Sequence, residues 1–213
     1  MIYYKLTLKH GLTLAVLGFA ILMASVQPLE FSAYLLHQLG TVLMLMVLLY
    51  CQNKIGLSYL SFFGYILFLI IHVIGAHYLY SYVPYNDWIK SVFAFDLNQT
   101  MGWSRNMYDR WVHFIYGLFL YPFFYRLWQV WLPNLPAKIL FMLVIQFVMA
   151  SSLIYEWIEW WIAIALSPEQ AENYNGQQGD IWDAHQDMLL ATLGSLLAGL
   201  IQIVNPPKSN RSD

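Results

Sequence analysis

The 213-residue chain predicts an all-α fold, a polytopic membrane helix bundle with about six transmembrane helices and both termini cytoplasmic. Three observations predict it. Hydrophobic residues make up 60% of the chain and charged ones only 10%, with a mean hydropathy of +0.53; an average soluble domain carries roughly 25% charged residues, so a soluble enzyme is excluded. Stretches without Asp, Glu, Lys, Arg or His run over 11–29, 38–53, 55–71, 139–155 and 188–207, and 111–125 is interrupted only by His113. A helical crossing needs about 20 apolar residues. Finally, these runs are apolar on every face, whereas a strand of a membrane β-barrel alternates over about ten residues.

Extending the runs to the nearest interfacial residues gives helices at about 10–27, 32–51, 58–80, 107–131, 137–165 and 183–204. The first follows Lys5, Lys9 and His10 as the core of a signal peptide would. Its apolar run is longer than the roughly 7–15 residues of such a core, and Gln27-Pro28-Leu29-Glu30 offers no small-residue cleavage site, so it reads as a retained span. Cys51, near the end of the second helix, has no second cysteine to pair with. The sixth helix carries a stripe of small residues, Ala184, Ala191, Gly194, Ser195, Ala198 and Gly199, of the kind that lets transmembrane backbones approach closely. Asn205-Pro206-Pro207 ends it, leaving 205–213 as a short cytoplasmic tail of a single membrane domain over 1–213.

Charge sets the orientation. With six spans, Lys5, Lys9, Lys54, Arg126, Lys138, Lys208 and Arg211 share one side, and only Lys90, Arg105 and Arg110 lie on the other. The positive-inside rule puts the first group in the cytoplasm. Every acid except Asp213 then falls in outer loops or outer halves of helices. Trp88, Trp103, Trp157, Trp160, Trp161 and Trp182 lie near the same boundary, as an aromatic belt does. The connections 81–106 and 166–182 are the places where a lid or substrate-facing loop can be built.

Four helices present ionisable groups at similar depth: His72 and His77 on the third, Asp109, Arg110 and His113 on the fourth, Glu156 and Glu159 on the fifth, and Asp180, Asp183 and Asp187 at the start of the sixth. Such groups are costly in a bilayer and face the bundle interior or a wet cavity. Asp109/His113 and Asp183/Asp187 are spaced i,i+4 and Glu156/Glu159 i,i+3, so each helix can aim two groups at one centre. His72 and His77 point about 140° apart, so at most one joins it. Asp180 after Gly179 also reads as a helix N-cap.

Converging carboxylates and imidazoles can bind a metal, divide acid and base roles, relay protons, or form a structural network neutralised by Arg105 and Arg110. A haem or quinone carrier using His72 and His113 is a further class. The chain has no Cys-x-x-Cys-His attachment signal for it.

Four ordered blocks carry a family resemblance: His72-Val-Ile-Gly75-Ala76-His77-Tyr78-Leu-Tyr80-Ser81-Tyr-Val-Pro84; Arg105-Asn106-Met-Tyr108-Asp109-Arg110-Trp-Val-His113-Phe114; Ser152-Leu-Ile-Tyr155-Glu156-Trp-Ile-Glu159-Trp160; and Gln178-Gly179-Asp180-Ile-Trp182-Asp183-Ala-His185-Gln-Asp187-Met188. Over about 50–204 the chain resembles the YjdF-like bacterial inner-membrane proteins, a family of unknown function. The resemblance implies an inner-membrane location and no particular activity. Where that family commonly has Thr and Gln in the last block, this chain has Gln177 and His185, and His185 is left out of the site. A weaker likeness is to VanZ-like membrane proteins, which join an Asp-(Lys/Arg)-x-x-His-Phe helix start to later acidic helices. That likeness implies work at the cell envelope.

The expectation is an inner-membrane protein with an outward-facing polar pocket that binds or acts on an envelope or lipid-linked molecule. Asp109, His113, Glu156, Asp183 and Asp187 are the candidate catalytic groups and the candidate ligands of a divalent metal. Arg105, Arg110, His77 and Glu159 are candidate substrate-binding groups, the guanidinium fork suiting phosphate or carboxylate. The expected partners are the bilayer and that small molecule, with no nucleic acid. A small transporter using the same acids as a relay is the alternative, weakened by the absence of inverted repeats or paired broken helices.

Overall fold

The computed structural model describes residues 1–204; the tail expected over 205–213 lies outside the described residues. Among the described residues the order is β1 (Ile2–Tyr3), α1 (Leu8–Ala24), α2 (Phe31–Lys54), β2 (Leu57–Ser58), α3 (Tyr59–His77), α4 (Tyr85–Phe93), α5 (Leu97–Met101), α6 (Tyr108–Trp131), α7 (Ala137–Ala165), α8 (Pro168–Asn175) and α9 (Asp183–Val204). The protein is an all-α polytopic membrane protein. By length and hydropathy α2, α3, α7 and α9 can each cross a membrane, and α1 is a shorter apolar helix. The 24 residues of α6 are about 36 Å long at 1.5 Å per residue, but Asp109, Arg110 and Arg126 interrupt their apolar character.

Helix α3 is central, packing on α1, α2 and α6, while α9 packs on α6 and α7. The side chains of Phe62, Ile66, Leu69, Leu120, Tyr121 and Phe123 fill the core between these layers. The closest seam is α6 against α9. A Cβ at Gly117 would fall on the Ala191 carbonyl oxygen, and one at Gly194 on the Phe114 carbonyl oxygen. The small residues of the last helix therefore face a neighbour: Ala191, Gly194, Ser195, Ala198 and Gly199 are all buried. Backbones this close gain dispersion contacts that lipid cannot supply.

Two features were not legible in the hydropathy pattern. The N-terminal residues pair antiparallel with the α2–α3 connection, Ile2 opposite Ser58 and Tyr3 opposite Leu57. The Gln52 amide donates to the Tyr3 carbonyl at 2.5 Å, and the Lys9 ammonium lies over the Tyr3 and Tyr59 rings at 4.2 and 4.4 Å. Arg126, at the end of α6, donates to the Ile55 and Gly56 carbonyls at 2.8 and 3.0 Å. The N-terminus, the α2–α3 connection and the end of α6 thus share one side. On the opposite side, the two long connections contain the short helices α4, α5 and α8.

The third helix ends at His77, not near 80. Leu79 and Tyr80 take left-handed φ values of 52° and 55°, and the Tyr80 amide turns back to donate to the Gly75 carbonyl at 2.8 Å. The Tyr80 ring then lies over Gly75, where a Cβ would meet it at 2.8 Å. That fold-back carries the Tyr80 hydroxyl to His72 Nδ1.

Candidate functional site

The N-terminal ends of α6 and α9 are held side by side by the loops that precede them. The Gln178 side chain brackets the Asn106 backbone: its Oε1 accepts from the Asn106 amide at 3.0 Å and its Nε2 donates to the Asn106 carbonyl at 3.1 Å. Next to this clasp, Arg105 and Arg110 grip the same two carboxylates. Arg105 Nη1 lies 3.2 Å from Asp180 Oδ2 and 2.9 Å from Asp183 Oδ1, and Arg110 Nη2 lies 2.8 Å from each. Charge-assisted bonds of this kind are about twice as strong as neutral ones.

Asp180 was expected as a cap. Its Oδ1 does accept from the Trp182 amide at 2.9 Å, but its Oδ2 joins the ion network, a role its capping position concealed. The Trp182 amide holds the Asp180 carboxyl below the usual carboxylate range; burial opposes it, and the nearby charges of Arg110 and Arg105 add to the lowering.

Deeper in the bundle lies a second group. Asp109, His113 and Asp187 are buried and each offers a ligand atom within 4.8 Å of the others. His113 Nε2 is 3.8 Å from Asp109 Oδ1 and 4.0 Å from Glu156 Oε1. Arg110 Nε is 3.5 Å from Asp187 Oδ1 without the alignment of a hydrogen bond. Glu156 Oε1, Asp187 Oδ1 and Ser152 Oγ are buried with no hydrogen-bond partner, as are Nε and Nη1 of Arg110 and Nε and Nη2 of Arg105. Unpartnered buried polar atoms are costly, and two carboxylate oxygens beside an imidazole are suitable donors for a divalent cation. Ser152 stands one turn before Glu156 on α7.

The nine expected site residues therefore divide. Asp109, His113, Glu156 and Asp187 converge, with Arg110 against them. Asp183 is separated chemically, because its Oδ1 is already shared by two guanidinium groups. Glu159 sits one turn beyond Glu156, beside Tyr174 of α8. Burial and the Glu159 charge push the Tyr174 hydroxyl up to about 12, against the hydrogen bond from Tyr155. His77 is elsewhere: its Nδ1 meets the Ala24 carbonyl at 2.8 Å, and its own carbonyl accepts from the Leu29 amide at 3.1 Å, so it ties α3 to the α1–α2 connection. His72 is likewise engaged, with Nδ1 on the Tyr80 hydroxyl and Nε2 3.3 Å from the His37 carbonyl. This leaves neither nitrogen free for an iron shared with His113. His185 is exposed and packs on Trp182.

Residues 10–205 match the model of a family described as predicted membrane protein (DUF2238). The chain belongs to this family. It is also 31% identical over 163 residues to the inner membrane protein YjdF of Escherichia coli (strain K12), covering 76% of this chain and 74% of that protein. No solved structure matches. The matched residues include the core bundle and all four sequence blocks, so the ion network and the acid/His group lie within the matched part of this chain.

Proposed function

We propose that this family member is an inner-membrane protein whose α6–α7–α9 centre holds a divalent cation at the outward side and binds or acts on an envelope or lipid-linked molecule. The observation that supports the cation is the buried Asp109–His113–Asp187 group, with ligand atoms mutually within 4.8 Å. The unpartnered Glu156 Oε1 beside it is the natural fourth donor. A cation held there would polarise an ester or phosphoryl oxygen or acidify a bound water. Arg105 and Arg110 would hold the anionic part of the molecule, and the outward orientation rests on the distribution of Lys and Arg along the chain.

The ion network has a different task in this reading. Asp180 and Asp183 neutralise the two arginines and fix the mouths of α6 and α9, so Asp183 positions the centre and the other four acid/His groups ligate. Elemental analysis of protein purified without chelator tests the proposal. About one equivalent of a transition metal is expected in wild type, and Asp187→Asn and Glu156→Gln should each lose it while eluting as folded protein. A metal-free wild type that also fails to take up added Zn2+ or Mn2+ would overturn it.

A further inference from the structure

The connection from α3 to α6 carries an amphipathic helix whose apolar side is only half covered. At 3.6 residues per turn, Tyr85, Trp88, Ile89, Val92 and Phe93 share one side of α4, and Asn86, Asp87, Lys90 and Ser91 share the other. Tyr85, at the start, is buried and Ile89 is partly so, but Val92 and Phe93 are 72% and 73% exposed, and Phe95 just beyond them is exposed too. With nine residues, α4 is too short to cross a bilayer, which takes about 20.

The hairpin that α4 forms with α5 turns its polar groups inward on itself. Ala94 reverses the chain with a left-handed φ of 52°, and Asp96 comes back against α4. Its Oδ1 accepts from the Asn86 side-chain amide and its Oδ2 from the Lys90 ammonium, each at 3.2 Å. Asn86 Oδ1 accepts from the Asn98 backbone amide at 3.0 Å, and the Tyr85 hydroxyl donates to Asn98 Oδ1 at 2.7 Å. The same hydroxyl accepts from the Met107 amide at 3.0 Å, and Asn106 Nδ2 donates to the Val83 carbonyl at 2.9 Å, so the hairpin is fixed to the start of α6. What it presents outward at Val92, Phe93 and Phe95 is apolar.

The position of the hairpin along the bundle says what covers that side. Helix α3, long and apolar enough to cross a membrane, ends at His77. The ring of Tyr78, next in the chain, meets the Trp88 ring edge-on at 6.1 Å. Helix α4 therefore lies at the level where a membrane-crossing helix ends. Leu29, whose amide donates to the His77 carbonyl at 3.1 Å, is exposed at this level, and Val26, Phe31 and Tyr82 are exposed close by in the chain. The bare side of α4 thus continues the apolar surface that the bundle shows to lipid. A short helix with one polar and one apolar side lies in the plane of the interface, and Trp88 at its flank is of the type enriched at headgroup depth.

We propose that the α4–α5 hairpin is an in-plane membrane anchor: Val92, Phe93 and Phe95 insert into the phospholipid leaflet at the boundary where α3 ends, with Trp88 among the headgroups. The connection 81–106 is then not a lid in the water. Through Tyr85 and Asn106 the leaflet holds the start of α6, where the Gln178 clasp and Arg105 lie. The inference goes beyond the proposed function and stands whether or not the acid/His group holds a metal.

The test uses the full chain in phosphatidylcholine/phosphatidylglycerol vesicles, in a Cys51→Ser background, with a nitroxide on Val92→Cys, Phe93→Cys or Ser91→Cys. The relaxing agents are oxygen, which concentrates in hydrocarbon, and a water-soluble nickel chelate supplied on both sides of the membrane. The Val92→Cys and Phe93→Cys labels are expected to relax several-fold more with oxygen than with nickel, and the Ser91→Cys label the reverse. A nickel preference for the first two overturns the inference, because it leaves that side of α4 in water. Spin–spin broadening of the Val92→Cys label that disappears on dilution with unlabelled protein overturns it in favour of a second copy of the chain. If the cysteine variants fail to fold, the fluorescence difference between wild type and Trp88→Phe replaces them. That difference should be quenched by lipids brominated high on their acyl chains and spared by aqueous iodide, and quenching by iodide alone overturns the anchor.

Discussion

Arg110 of α6 and Asp183 of α9 meet at 2.8 Å across the tightest helix seam in the molecule. The same guanidinium reaches Asp180 through Nη2 and Asp187 through Nε, at 2.8 and 3.5 Å, so a single side chain spans the ion network and the buried acid/His group. A change at either group is felt at the other through this arginine.

Asp183→Asn should therefore destabilise the bundle without emptying the centre. Removing one partner of a buried ion pair costs about 3–5 kcal/mol, and because Asp180 remains on both arginines the loss should fall at the low end. Thermal melting in detergent checks the stability, and elemental analysis checks that metal content stays at the wild-type level. An Arg110→Gln, Asp183→Asn double variant should lose less than the sum of the single changes.

Gly194→Leu and Gly117→Ala should both lower the yield of folded protein, because the added atoms fall on the carbonyls of Phe114 and Ala191. Overpacking usually costs about 1–3 kcal/mol, and backbone contacts leave little room for relief. Fluorescence-detected size-exclusion chromatography of tagged variants gives the comparison. Leu193→Ala, on the exposed face of α9, should leave the profile as in wild type.

Asp180 gives a pH signature. Its folded-state pKa is held below the ordinary aspartate value of about 3.9, so the stabilisation is present in full above that value and is lost as pH falls through the folded pKa. The difference in melting temperature between wild type and Asp180→Asn should be constant from pH 7 to about pH 4, then shrink on further acidification. A difference that instead grew below pH 4 would contradict the assignment.

Reporter fusions test the orientation. Fusions after Lys90 or Glu172 should be active outside the cytoplasm, and those after Lys54 or Asn134 inside. A cytoplasmic signal at Glu172 would reverse the orientation and move the centre to the inner side of the membrane.

Much of the architecture was readable along the chain because its causes are local. A bilayer demands long apolar helices, and a carboxylate within one is conspicuous whatever its partners; Asp187 and Glu156 stood out on that ground alone. Helical spacing correctly paired Asp109 with His113 on one face. Short helices in the two long connections and the β1–β2 pair left no such mark, since a two-residue strand has no periodicity to read and α4, α5 and α8 are too short to impose one.

The sequence by itself determined that this is a membrane helix bundle, which segments form its long helices, and which residues carry ionisable groups at depth, since transfer of each segment out of water depends on its own composition. Only the tertiary structure decided how those groups are shared. Arg110 and Asp183 are 73 residues apart in the chain, and whether Asp183 faces a guanidinium or a metal depends on how α6 and α9 cross at Gly117 and Gly194. The same crossing places Asp187 beside His113 and Asp109. His77 was sent to the Ala24 carbonyl by the turn that ends α3, away from a cluster at similar depth. Spacing within one helix fixes which side chains share a face; the packing of helices against each other fixes what that face meets.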